Sequence, residues 1–124
     1  MTRINCVPPR ELTTKHLVAE YREITRLPAL ARAAWLRGEQ PDNRLNPRQY
    51  TLGTGHVRFF YTRLTYISLR FRALRNEMIR RGYRPSVSDI DGLLRDMPDA
   101  WLRHWTPADA DQALNRARLK ERGA

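Results

Sequence analysis

Four side chains that can carry charge or a proton, His16, Glu20, Glu23 and Arg26, stand three and four residues apart. On a helix, residues so spaced share one face. An imidazole, two carboxylates and a guanidinium could together move protons, steady a developing cation and hold an anion. Arg22 flanks the group. Taken alone, Glu20, Glu23 and Arg26 read most simply as solvent-side salt-bridge partners of little weight for stability, and His16 as a surface histidine. The chain offers little competing chemistry. His16, His56 and His104 with the single Cys6 lack metal-ligand spacing, so neither a metal nor any other cofactor is expected. Cys6 itself reads as a small buried hydrophobe.

The elements that must position these residues are helical. Residues 1–12 are expected to be extended, because Pro8 and Pro9 lack amide protons and bias their predecessors away from helix. A first helix should begin near Thr13 or Thr14 and run to about Arg37, with Leu17, Tyr21, Ile24, Pro28 and Ala31 as its buried face and Pro28 as a kink. Gly38 and the Asn- and Pro-rich segment from Gln40 to Pro47 read as a loop. Val57, Phe60, Leu64, Ile67, Phe71, Leu74 and Met78 then recur without a break, which predicts a long second helix ending at Gly82. Gly53-Thr54-Gly55-His56 is too short for a dinucleotide or P-loop fingerprint. It reads as a tight entry into that helix in preference to a ligand contact by His56.

Ser86-Val87-Ser88-Asp89 has capping-box spacing and should open a short amphipathic turn through Leu93 and Leu94 that Pro98 ends. Trp101 and Trp105 anchor a connector. Thr106-Pro107-Ala108-Asp109 is a second such box, so a third helix is expected from about Pro107 to Glu121. The reading is all-α: one domain over residues 1–124, a compact bundle of three main helices with an extended N-terminal arm packed against it. Tyr21, Phe59, Tyr61 and Tyr66 adjoin apolar stripes and read as core more readily than as base-stacking platforms.

Lys and Arg number 23 against 13 Asp and Glu, a formal net charge of +10, so polyanions are the obvious partners. Seven arginines lie between Arg58 and Arg81 on what should be the outer faces of the second helix. They either keep it soluble or line a phosphate track. One unpaired cysteine, no apolar signal core and no span of ~20 apolar residues fit a cytoplasmic protein without a membrane partner.

The opening Thr2-Arg3-Ile4-Asn5, then Glu11-Leu12, His16-Leu17, Ala19-Glu20-Tyr21-Arg22-Glu23 and Arg26 form a pattern that closely resembles the pyrimidine-dimer DNA glycosylases of the phage UV-endonuclease V type. The match is ungapped there. It resumes at Leu52-Gly53, Gly55-His56-Val57, Phe59-Phe60-Tyr61, Arg81-Gly82 and Ala117-Arg118-Leu119. The resemblance implies that Met1 is removed and that the α-amine of Thr2 attacks the sugar C1′ of a damaged nucleotide, forming a Schiff base as the glycosidic bond breaks. Glu23 would support that step and the β-elimination that nicks the strand. Arg3, His16, Arg22 and Arg26 match residues that hold phosphates and shape the flipped-out state. Arg118 matches a basic DNA contact on the last helix, and Arg122 replaces a lysine there.

Departures from the pattern bear on specificity. Lys15 stands where the phage type has a DNA-contacting glutamine, which adds charge and changes the hydrogen bonds offered. Thr25 and Pro28 rearrange prolines in the first helix. The chain stops at Ala124, where the phage type carries an aromatic, basic tail, so the resemblance implies lyase chemistry more firmly than preference for UV photoproducts. The expected partner is double-stranded DNA containing damaged or abasic nucleotides, bound by a monomer. Physical chemistry agrees with the nucleophile, since an α-amine with a pKa of about 7.7–8.0 is partly neutral at cellular pH whereas lysine near 10.4 is not. The rival reading is a non-catalytic, architectural DNA-binding bundle, and a module for acidic proteins is a third. Glu23 beside Arg and His on that face speaks against the former, because an acid in a DNA-facing surface repels phosphate.

Overall fold

The computed structural model describes residues 4–123, so Thr2 and Arg3 lie outside the described residues. Helix α1 spans Thr14–Leu36 and is opened by Thr13, whose hydroxyl accepts from the His16 amide at 3.2 Å. Its buried face is the expected one, Leu17, Tyr21, Ile24, Pro28 and Ala31, joined by Leu27, Ala34 and Glu20. The helix continues through Pro28, which forgoes a single backbone donor. A short 3-10 turn at Pro9–Glu11 interrupts the arm that was expected to be extended throughout.

The second predicted helix is broken. Helix α2 is one turn, His56–Phe59, followed by a 3-10 turn at Phe60–Thr62 and then helix α3 over Leu64–Arg80. Residues 59–62 are all buried, and four consecutive residues cannot lie on one helical face. The chain therefore turns at Arg63 (φ −133°, ψ 45°), whose guanidinium takes the Phe59 carbonyl at 2.6 Å in place of the helical amide. The apolar stripe still forms the core, with Phe60, Leu64, Ile67, Phe71, Leu74 and Met78 all buried. Gly55 enters α2 at φ 86°, and a Cβ there would stand 2.7 Å from Pro47 Cγ. The tight-entry reading of Gly53–His56 is correct, and His56 is only 3% exposed.

Helix α3 runs antiparallel to α1. Arg81, just past its end, reaches the Leu12 carbonyl at 2.7 Å and Thr14 Oγ1 at 3.4 Å beside the start of α1. Helix α4 spans Asp109–Glu121, two residues later than expected. Thr106 does not cap it. Ala108 stands at the cap, and since alanine has no side-chain acceptor only half a capping box forms, Asp111 accepting from the Ala108 amide at 2.8 Å. The short turn expected after Ser86 forms as a 3-10 turn that ends at Leu93 with Leu94 at its cap. That region supplies 3-10 turns at Asp91–Leu93 and Asp99–Trp101, and Trp101, 1% exposed, anchors the connector as expected. Tyr21, Phe59, Tyr61 and Tyr66 are core. Among the described residues no strand forms beyond one isolated bridge, Arg63 to Leu102, and no helix is long and apolar enough to cross a membrane.

Candidate active site around the chain start

Ile4, Asn5, Cys6 and Val7 are at most 5% exposed and belong to no sheet. An extended segment inside a protein must still satisfy its backbone donors and acceptors, and here side chains from three elements and a loop do so. His56 Nε2 accepts from the Ile4 amide at 2.8 Å, and the Tyr50 hydroxyl donates to the Ile4 carbonyl at 3.4 Å. The Tyr66 hydroxyl donates to the Asn5 carbonyl at 3.0 Å. Asn115 Oδ1 accepts from the amides of Cys6 (2.8 Å) and Val7 (3.3 Å), while Gln112 donates to the Cys6 carbonyl at 3.1 Å. Arg70 closes the series on the Val7 carbonyl at 2.6 Å.

Because the Ile4 amide can only donate, His56 must carry its proton on Nδ1, which faces the Thr51 carbonyl at 2.6 Å. Burial pushes the Cys6 thiol up to about 11, so it stays protonated and is a packing residue, as its sequence context suggested.

A buried ion pair lies under the arm. Glu20 is fully buried, binds Arg70 through both carboxylate oxygens (2.8 and 2.9 Å), and accepts from Asn5 Nδ2 at 2.8 Å. Asn115 Nδ2 completes the network on Asn5 Oδ1 at 2.7 Å. Burial alone would pull Arg70 down, but the charge and hydrogen bonds of Glu20 hold it above the ordinary guanidinium range. Two sequence expectations fail here. Glu20 is not a solvent-side partner, and Arg70 is not on the outer face of α3. Each spacing admitted burial, but nothing within α1 or α3 alone names a partner 50 residues away.

Truncation should expose what the network contributes. Arg70→Ala strands the Glu20 carboxylate in the core and is expected to lower unfolding free energy by about 3–5 kcal/mol. Asn115→Ala removes the acceptor of two arm amides, at about 1–3 kcal/mol for each left unsatisfied. Urea unfolding followed by circular dichroism measures both, and a decrease of less than about 1 kcal/mol in either would show the network to be dispensable.

Glu23 lies one turn beyond Glu20, on the same side of α1 and half-buried. Its surroundings differ. Glu11, Glu20, Glu39, Glu77 and Glu121 each pair with at least one arginine, at distances from 2.5 to 3.5 Å. Glu23 alone among the glutamates forms no ion pair or hydrogen bond among the described residues. The pairing extends further: two arginines hold Glu39 and two hold Glu77, each carboxyl pulled down to about 2. His16, on the same face, is half-buried, and its Nδ1 is enclosed without a partner among the described residues. It is not the surface histidine expected from its context alone.

The structure gathers some of the remaining candidates and separates others. Arg22 and Arg26 are exposed and line one groove of about 400 Å³ together with Arg84, Thr25 and Ser86. Lys15 is exposed near the start of α1. Arg118 is half-buried on α4 and leans on Glu121 at 3.5 Å. Arg122 stands exposed at the end of α4. Sequence reasoning missed His56, Tyr50, Tyr66, Asn115 and Gln112 as holders of the arm. The signal for Asn115 was an amide inside an amphipathic helix. Among the described residues no cluster of His, Cys, Asp and Glu has metal-site geometry.

The described residues form an all-α, strongly cationic protein whose arm from Ile4 to Val7 is clamped inside the fold. Residues 1–91 match the family model for pyrimidine dimer DNA glycosylase, and the chain belongs to that family. It is accordingly a DNA glycosylase of the type directed at UV damage, with damaged DNA as its partner. The match takes in the arm, α1 to α3 and the groove residues, and ends at residue 91, so α4 with Arg118 and Arg122 lies beyond it.

Proposed function

We propose that this chain is a bifunctional glycosylase and abasic-site lyase of the pyrimidine-dimer family, a single-domain monomer acting on UV photoproducts and abasic sites in duplex DNA, with the α-amine of Thr2 as nucleophile once Met1 is removed. In this reading the neutral amine forms a bond to the deoxyribose C1′ and the base departs with the glycosidic electron pair. The Glu23 carboxylate steadies the cationic sugar and then accepts the C2′ proton as the 3′ phosphate leaves, which nicks the strand. Arg3, Lys15, His16, Arg22 and Arg26 hold phosphates and the distorted duplex around the extruded nucleotide, and Arg118 and Arg122 extend that contact along α4.

The observation that carries the reading is the solitary glutamate. In a protein that pairs its other glutamates with arginine, Glu23 has no partner among the described residues and lies one turn from the carboxylate that anchors Asn5. Thr2 is three residues from Asn5, at most about 10–11 Å of extended chain, so covalent reach is compatible with an amine near Glu23. The tethers from Ile4 onward support this further, since they shorten the stretch of chain that must be ordered before a terminal amine can react.

Borohydride trapping tests the proposal. The protein is mixed with duplex DNA carrying an abasic site and, separately, a thymine dimer, then reduced. A covalent adduct mapping to Thr2 is expected. Binding without an adduct would favour the architectural reading.

A further inference from the structure

Many arginines of the protein have a carboxylate partner, among them Arg32, Arg58, Arg70, Arg72, Arg81 and Arg116. Seven others among the described residues line two recesses. The first is the groove of Arg22, Arg26 and Arg84. The second, of about 550 Å³, lies between the loop after α1 and the start of α3 and is lined by Arg44, Arg48, Arg63 and Arg103, with Thr62 on its wall and Asp42 as its one carboxylate among the described lining residues. None of its arginines belongs to the contacts proposed for the reacting nucleotide.

Arg63 shows that the recess is built. Its guanidinium is half-buried, stacked 3.8 Å over the Phe59 ring, and fixed by the Phe59 carbonyl at 2.6 Å, Thr62 Oγ1 at 3.4 Å and the Arg48 carbonyl at 3.3 Å. These neutral acceptors orient the charge without cancelling it. Burial and the nearby charge of Arg103 push its proton affinity down, which is the environment an incoming anion would relieve. Arg44, Arg48 and Arg103 are exposed and free to close on such an anion. The recess is predominantly polar and too cationic for an apolar or acid-poor ligand. A guanidinium fork matches phosphate oxygens in geometry as well as charge.

We infer that this recess is a second nucleic-acid site, which grips a phosphodiester segment of duplex DNA apart from the contacts at the lesion. The inference rests on the proposed DNA-acting function and adds a site to it. Its role is to raise affinity for undamaged duplex, through which a lesion is found, without taking part in bond breaking.

The test compares wild type with Arg44→Gln/Arg48→Gln/Arg103→Gln, binding a long undamaged duplex across a salt titration. Among the described residues none of the three side chains makes an ion pair, so the variant should fold, and circular dichroism checks that it does. The slope of log affinity against log salt should become shallower by about 0.9 for each phosphate no longer neutralised, roughly 1 to 2 in all, with affinity at moderate salt down roughly 3- to 10-fold. Arg103→Glu alone should weaken binding in the same direction. Borohydride trapping of a saturated abasic duplex should be unchanged in both variants. An unaltered slope in the folded triple variant would overturn the second site and leave the lyase reading intact. A wild type that binds duplex with the expected slope but yields no adduct would remove the lyase and leave the recess standing.

Discussion

Glu23→Gln is expected to leave duplex binding within about twofold while slowing strand nicking at an abasic site by roughly 10²- to 10⁴-fold, the range forfeited when a positioned proton-transfer group is removed. That corresponds to about 3–5 kcal/mol of transition-state stabilisation. The substitution keeps shape and hydrogen-bonding capacity but removes the charge and the basic oxygen. It should also be structurally silent, for a reason specific to this position: among the described residues Glu23 has no ion pair, so none of their cations is left behind. Glu20→Gln, one turn away, would by contrast strip the counter-charge from buried Arg70. Equal unfolding midpoints for Glu23→Gln and wild type, together with abolished nicking, would separate a chemical role from a structural one. Normal nicking by Glu23→Gln would remove Glu23 from the mechanism.

The contrast between these two glutamates shows what a sequence can and cannot convey. The periodicity of α1 and its start at Thr13 were legible because local spacing and capping decide them. The break at Arg63 was not, because it answers to the burial of all four residues from Phe59 to Thr62, with Phe59 and Phe60 packed against Tyr50 and Trp105, a tertiary demand that a period of 3.6 cannot encode. Glu20 and Glu23 are alike in their local sequence. What separates them is Arg70 on another helix and Asn5 on the arm, contacts made only when the chain folds. The positions of Arg22 and Arg26 on one groove followed from helical spacing, whereas the recess of Arg44, Arg48, Arg63 and Arg103 joins a loop, a helix start and a connector. The resemblance to the glycosylase family was readable because it is concentrated in the first 26 residues, and it is within the matched span.

Blocking the amino terminus should have the larger effect. A chain acetylated at Thr2, or one that retains Met1, is expected to give no borohydride adduct and nicking no faster than a protein-free control. An acetylated nitrogen has no available lone pair, and a retained methionine carries its amine one residue too far along an arm whose position is set from Ile4 onward. The tethers at Ile4, Asn5, Cys6 and Val7 do not involve the terminus, so unfolding midpoint and duplex affinity should change little. Composition sharpens the test. Of the 23 basic side chains only Lys15 and Lys120 are amines, and both are exposed. If an adduct persists with the terminus blocked, one of these two must carry it, and Lys15→Arg and Lys120→Arg would identify which. If instead the adduct vanishes and returns on unmasking the amine, its rate should rise with pH to a plateau, with a midpoint near the α-amine range of about 7.7–8.0 rather than the lysine range near 10.4. Neighbouring arginines would move that midpoint to lower pH and Glu23 to higher, so its position in Glu23→Gln against wild type reports how closely the carboxylate faces the amine.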